Sequence, residues 1–217
     1  LTTVGKAKEL GIAEEKWTYL HGYANTKDRV ILKREKIGRS RALEFALKGG
    51  LEAAGKTSAD IDHFDIYSCF PIVVAEACDV MGIEENDPRS LTQTGGLAYF
   101  GGPGNNYTMH GIASLVETLR KDPGSFGMAS GNGGWMSKHS VGVYSTAAPE
   151  GGWASCDSSM LQMVLDKIPE VEVEHSPQGE AVLELLQLSG RSFGLALLSA
   201  LITVAAGLGL AIARRWI

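Results

Sequence analysis

Three short stretches carry the side chains that could do chemistry. The first is Tyr67-Ser68-Cys69-Phe70. The second is TQTGGLAYFGGPGNNYTMHG, residues 92–111, with six glycines in twenty positions and His110 near its end. The third is Ala129-Ser130-Gly131-Asn132-Gly133-Gly134. A phenol, an imidazole, a hydroxyl and carboxamides beside glycine-rich backbone suit the holding of an oxyanion by O–H and N–H donors. His110, Tyr67, Ser130 and Asn132 are therefore the candidate catalytic side chains. Glycine lets backbone come close to a ligand, so Gly101, Gly102, Gly104, Gly131 and Gly133, with Asn105 and Asn106, are the candidate substrate-binding positions. Each feature also has a plainer reading. His110 would cap a helix, and Tyr67 would be a core tyrosine with a satisfied hydroxyl. Cys69 and Cys78 would be small buried apolar residues, His139 a structural strand residue, and Met109, Met128 and Met136 packing.

These stretches need elements to aim them. Residues 3–12 read as a short helix closed by Gly11, and WTYLHGYA, 17–24, as an aromatic strand leading into a loop. Ser40 is an N-cap for RALEFALKGGLEAAG, whose Leu43, Ala46, Leu47 and Leu51 share one helix face. Gly49-Gly50 weakens its middle, and Gly55 closes it. Ser58 to Ile61 form a cap or turn, FDIYSCF a buried strand, and Pro71 opens a helix through VVAEACDVMGI. The glycine loop leads to a helix from about His110 to Lys121. SFGMASGNGGWMSKHSVGVYS then gives two strands around a glycine turn. Loops at strand ends are the common place for ligand sites in α/β proteins. The order predicts an α/β layered domain over residues 1–150.

Beyond it, residues 151–192 turn polar and irregular, with an acidic EVEVEH segment, and read as a linker or the start of a further small domain. Residues 193–213 lie in FGLALLSALITVAAGLGLAIARRWI, long enough to span a bilayer. Arg214-Arg215 would face the cytoplasm; a shifted reading frame after Glu184 is the alternative origin of this tail. The expected location is cytoplasmic, with membrane contact through 193–213 if the tail is genuine. The chain opens on LTTVGKAKELGI without Met, so truncation at that end is expected.

Composition narrows the classes. The chain has 217 residues, 44% hydrophobic and 21% charged, with a net charge of -5. That is globular composition, and the acidity argues against nucleic acid as a partner. The basic stretch from Lys27 to Arg41 includes Asp28 and Glu35 and reads as a solvated face. Three scattered cysteines, Cys69, Cys78 and Cys156, have no CxxC and no His at ligand spacing. Neither a disulfide framework nor a metal site is expected. No secretory signal opens the chain.

On SADIDHFDIYSCF, GGLAYFGGPGNNYTMHGIASLVETLR and SGNGGWMSKHSVGVYS, in that order, the chain resembles the C-terminal half of a thiolase. The likeness is to the sterol-carrier-protein type and to bacterial thiolase-like proteins labelled acetyl-CoA acetyltransferase. It covers residues 1–150 and implies half of a five-layer α-β-α-β-α fold, here followed by a hydrophobic helical tail. It also implies acyl-CoA as substrate, no other cofactor, and a homodimer or partner subunit. The nucleophilic cysteine of such proteins belongs to the other half. Thiolases carry Asn-Glu-Ala-Phe or His-Asp-Cys-Phe at a strand end, which places Tyr67 where the water-holding residue stands. A phenol of pKa about 10 is a poor base there. Their Gly-His-Pro matches Gly101-Gly102-Pro103, without the histidine; His110 lies further along. Their Cys-x-Gly turn matches Ala129-Ser130-Gly131, without a thiol. Three functions fit this pattern. One is an acyl-CoA acyltransferase, incomplete without its N-terminal half. Another is a carbon-carbon lyase of retro-aldol type, working with a partner. The third is a non-catalytic acyl-CoA-binding or assembly subunit. Half of such a fold would expose an apolar sheet face.

Overall fold

The computed structural model describes residues 2–153 and 157–173. They fall into two compact units: Leu1–Asp28 with Arg41–Lys167, and a smaller one built on Arg29–Ser40 and the residues from Ile168. The larger unit runs α1 (Val4–Glu9), β1 (Tyr19–Lys27), α2 (Arg41–Ala53), β2 (His63–Asp65), α3 (Pro71–Met81), α4 (Tyr107–Lys121), β3 (Phe126–Gly133), β4 (Lys138–Ser145) and α5 (Ser158–Asp166). In the smaller unit, Glu170 pairs with Lys33 at 2.7 Å and Arg29 at 3.3 Å, and the Val171 N–H donates to the Lys33 carbonyl.

The four strands form one sheet in the order β1-β4-β3-β2. β1 and β3 each run antiparallel to β4, whereas β2 runs parallel to β3. Strand alternation sorts the side chains onto two faces. Phe64, Met128, Val141 and Val143 join Leu43 and Leu47 of α2 and Ala77 and Met81 of α3 in the main core. On the other face, Ala129 packs with Leu115 and Leu119 of α4. A Cβ on Gly127 would come 2.7 Å from Leu115, so small residues on this face let α4 approach. Each fully buried Leu, Phe or Met contributes roughly 1.5–3 kcal/mol. Helices of this unit thus pack on both sheet faces, which corrects the expectation of a bare apolar one. Exposed apolar side chains instead lie at Phe70, Tyr99, Met109 and Trp135. Met109 is therefore not packing, whereas Met128 is core.

Most predicted elements form, with four differences. The strand read over FDIYSCF stops at Asp65, because the next amides find other acceptors: Ile66 N–H bonds the Leu91 carbonyl and Tyr67 N–H the Ser130 hydroxyl. Helix α4 begins at Tyr107, which is fully buried, so His110 stands a full turn inside rather than at its head. The Gly49-Gly50 pair has a packing reason. A side chain on Gly49 would collide with Leu161 of α5, and one on Gly50 would come 2.8 Å from Val141 of β4. Lastly, residues 158–166, within the stretch read as irregular, form α5. It covers the free edge of β1: Ser158 Oγ accepts from Asn25 N–H, and Gln162 both accepts from and donates to the Lys27 backbone. Met160, Leu161, Met163, Val164 and Leu165 give this segment an apolar signal that the reading of it as irregular passed over.

Among the described residues no helix is long and apolar enough to cross a membrane. The tail at 193–213 and Cys156 lie outside them.

One ion pair ties the segment after α3 to the turn before β2. Arg89 forks onto both Asp87 oxygens and donates to the carbonyls of Ser58 and Ile61. Its side-chain hydrogen bonds hold the Asp87 carboxyl at about 2, below the ordinary carboxylate value. A depressed folded pKa contributes stability that is present above the unfolded value and lost as pH falls toward 2. Asp87→Asn should therefore lower the melting midpoint at pH 7, and the gap to wild type should close between about pH 4 and 2. Melts across that window check it, and a gap constant with pH would refute it.

Candidate functional site

The three stretches singled out by residue type meet where β2, β3 and the start of α4 come together. Ser130, on β3, is buried, and its Oγ accepts from Tyr67 N–H at 2.9 Å. Two residues on, the Asn132 amide nitrogen donates to Cys69 Sγ at 3.2 Å, while its Oδ1 is buried with no hydrogen bond among the described residues. Gly131 faces α4: a Cβ there would sit 3.1 Å from Thr108 Oγ1. Ser130 and Asn132 thus hold the Tyr67–Cys69 segment against β3.

Tyr67 presents its ring edge-on to Tyr107, with centroids 5.3 Å apart. Burial pushes its phenol above the usual tyrosine pKa, with further pushes from Cys69 and Tyr107. The group therefore stays protonated at neutral pH. Its hydroxyl makes no hydrogen bond among the described residues, which leaves it ready to donate. It is a donor, not a base.

His110 is engaged elsewhere. Its Nε2 lies 3.0 Å from the Asn106 amide, and its ring packs on Phe100 at 5.3 Å. No hydrogen bond joins it to Tyr67, Ser130 or Asn132. Phe100 also contacts Tyr107, at 6.1 Å, so aromatic rings separate the imidazole from the strand-end group. Gly101, Gly102 and Gly104 all take positive φ and are exposed, as are Asn105 and Asn106. Gly133, at the end of β3, is half-buried.

Side chains not foreseen from the sequence hold the loop in place. Thr94 Oγ1 lies 2.7 Å from the Tyr107 hydroxyl and 3.1 Å from Thr92 Oγ1, which donates to Asp65 Oδ1 at 3.0 Å. Ser68 Oγ accepts from Leu97 N–H at 2.8 Å. Asp65 had a legible signal: a carboxylate inside an apolar strand must find buried donors. The threonines had none, because their partners come from other elements.

Comparison with solved structures finds a monomeric SCP2-thiolase-like protein type 1 from Mycobacterium smegmatis, 46% identical, with a TM-score of 0.76 over 80% of this chain. The chain spans 38% of that protein's length. The peroxisomal 3-ketoacyl-CoA thiolase of Saccharomyces cerevisiae is also found, 17% identical over 58% of this chain and 34% of its own, with a TM-score of 0.44. Neither a family model nor a curated protein matches. The likeness first read from three short motifs extends over most of the residues, in sequence and in fold alike: the chain belongs to the thiolase superfamily.

Proposed function

We propose that the larger unit binds the thioester end of an acyl-coenzyme A, as part of a thiolase-like acyltransferase whose nucleophile and base come from outside this chain. One observation carries the reading: the Tyr67 hydroxyl is protonated and makes no hydrogen bond among the described residues, with its backbone fixed by Ser130 and its ring by Tyr107. A phenol held this way can donate to a thioester or enolate oxygen, where negative charge develops. Ser130 and Asn132 then position it, and the glycine loop offers backbone to the ligand. Among the described residues of this group none is poised as a base, so in this reading the proton alpha to the thioester is removed by the rest of the fold, a second copy or a partner subunit.

The same free phenol suits a lyase that cleaves a carbon-carbon bond by retro-aldol chemistry, since that enolate needs the same donor. A subunit that binds acyl-CoA without turnover is the third form of the reading.

Titration of the full chain with acetyl-CoA tests the shared core. Binding is expected, and Tyr67→Phe should weaken it about five- to tenfold, the worth of one net hydrogen bond. Absence of acetyl-CoA binding would sink the reading. Equal affinity in wild type and Tyr67→Phe would remove Tyr67 from it. Product analysis with added partner separates the forms: free coenzyme A marks acyl transfer, a carbonyl fragment marks the lyase, and bound, unchanged acetyl-CoA marks the binding subunit.

A further inference from the structure

The start of the glycine loop is held in an unusual way. The N–H groups of Gln93, Thr94, Gly96 and Leu97 all donate to side-chain oxygens: Asp65 Oδ1 at 2.9 Å, Thr92 Oγ1 at 3.1 and 3.0 Å, and Ser68 Oγ at 2.8 Å. Helices and strands hold such amides with backbone carbonyls. Here three side chains replace that ladder, and Asp65 anchors them. Its carboxylate is 1% exposed. One oxygen takes both Gln93 N–H and the Thr92 hydroxyl; the other is buried, has no hydrogen bond among the described residues, and lies where a Cβ of Gly111 would be. The carboxylate is seated between β2 and α4, against the one residue type small enough to admit it.

Donor counting gives the chain of contacts a direction. The Thr92 hydroxyl spends its only proton on Asp65, so its oxygen is left to accept from Thr94 and Gly96. Thr94 in turn meets the Tyr107 hydroxyl at 2.7 Å, and Tyr107 packs against the Tyr67 ring. We propose that Asp65 is the positioning residue of this site: a buried clamp that sets the glycine loop and, through Thr92 and Thr94, the Tyr107 ring against which Tyr67 rests. The clamp belongs to the fold and holds whatever the ligand is. Burial makes it effective, since a donor that loses its acceptor away from water bears the full cost of desolvation.

Amide hydrogen exchange on the full chain, read by mass spectrometry, tests this. Thr92→Val keeps the shape and removes the hydroxyl. Asp65→Ala removes the anchor, and Asp65→Asn keeps an acceptor oxygen without the charge. Exchange across 92–97 should rise about tenfold or more in Thr92→Val and Asp65→Ala and be partly rescued in Asp65→Asn, with β4 and α2 unchanged. Unaltered exchange at 92–97 would overturn the proposal. So would a rise spread evenly over the sheet, which would make Asp65 a general packing residue. Should Asp65→Ala fail to fold, Thr92→Val alone decides, because it deletes one hydroxyl and no volume. Acetyl-CoA titration of the same proteins keeps the two ideas apart. A wild type that binds no acetyl-CoA but shows the local exchange pattern refutes the thioester reading and leaves the clamp standing.

Discussion

Gly111→Ala is expected to destabilise the full chain by about 3 kcal/mol, lowering the thermal midpoint by roughly 6–12 °C. Helix propensity alone predicts the opposite sign, since alanine gains up to about 1 kcal/mol over glycine in a helix interior. Space decides against it. The added methyl would overlap the Asp65 carboxylate. Either α4 lifts from β2 or the carboxylate turns away from Gln93 and Thr92. A buried polar group left without its hydrogen bonds costs about 1–3 kcal/mol. Gly5→Ala is the matched control: it also lies in a helix, yet nothing stands within 4 Å of where its methyl would go. It should be neutral or mildly stabilising. Thermal melts of both variants check the claim, and it fails if they melt alike.

Phe64→Ala should cost about 3–5 kcal/mol, enough to lower the midpoint by roughly 6–20 °C. Phe64 is fully buried at the centre of the main core, where β2 meets α2 and α3. Its removal leaves a cavity that a close-packed interior refills only in part. The Arg89 guanidinium also stands over its ring at 5.0 Å from the centroid. Losing that face loosens the residue that ties the carbonyls of Ser58 and Ile61. Phe70→Ala provides the contrast. Phe70 is 67% exposed, and its truncation should stay within about 0.5 kcal/mol. Urea midpoints for the two variants are the measurement; similar losses would show that Phe70 is core as well.

That pair of phenylalanines also marks the limit of reading a strand from its residues. Phe64 and Phe70 sit in one apolar run, and nothing local separates them. The tertiary structure ends the strand at Asp65 by giving the next two amides to Leu91 and Ser130. Local signals served well where the cause was local. Pro71 opens α3, Gly55 and Gly82 close their helices at positive φ, and Gly133-Gly134 turns the β3–β4 hairpin. The three motifs, in order, sufficed for the superfamily.

What residue type and spacing determined was which stretches meet in the site, because strand ends and the loops after them are set by chain order. Only the tertiary structure decided what each side chain does there. Ser130 accepts from Tyr67 N–H, and His110 lies against Asn106 and Phe100. Asp65, Thr92 and Thr94 became the scaffold of the glycine loop. The physical reason is common to all of them. A hydrogen bond depends on a partner brought from another element, often tens of residues away, and on burial that gives the bond its worth. Neither can be read from the donor alone.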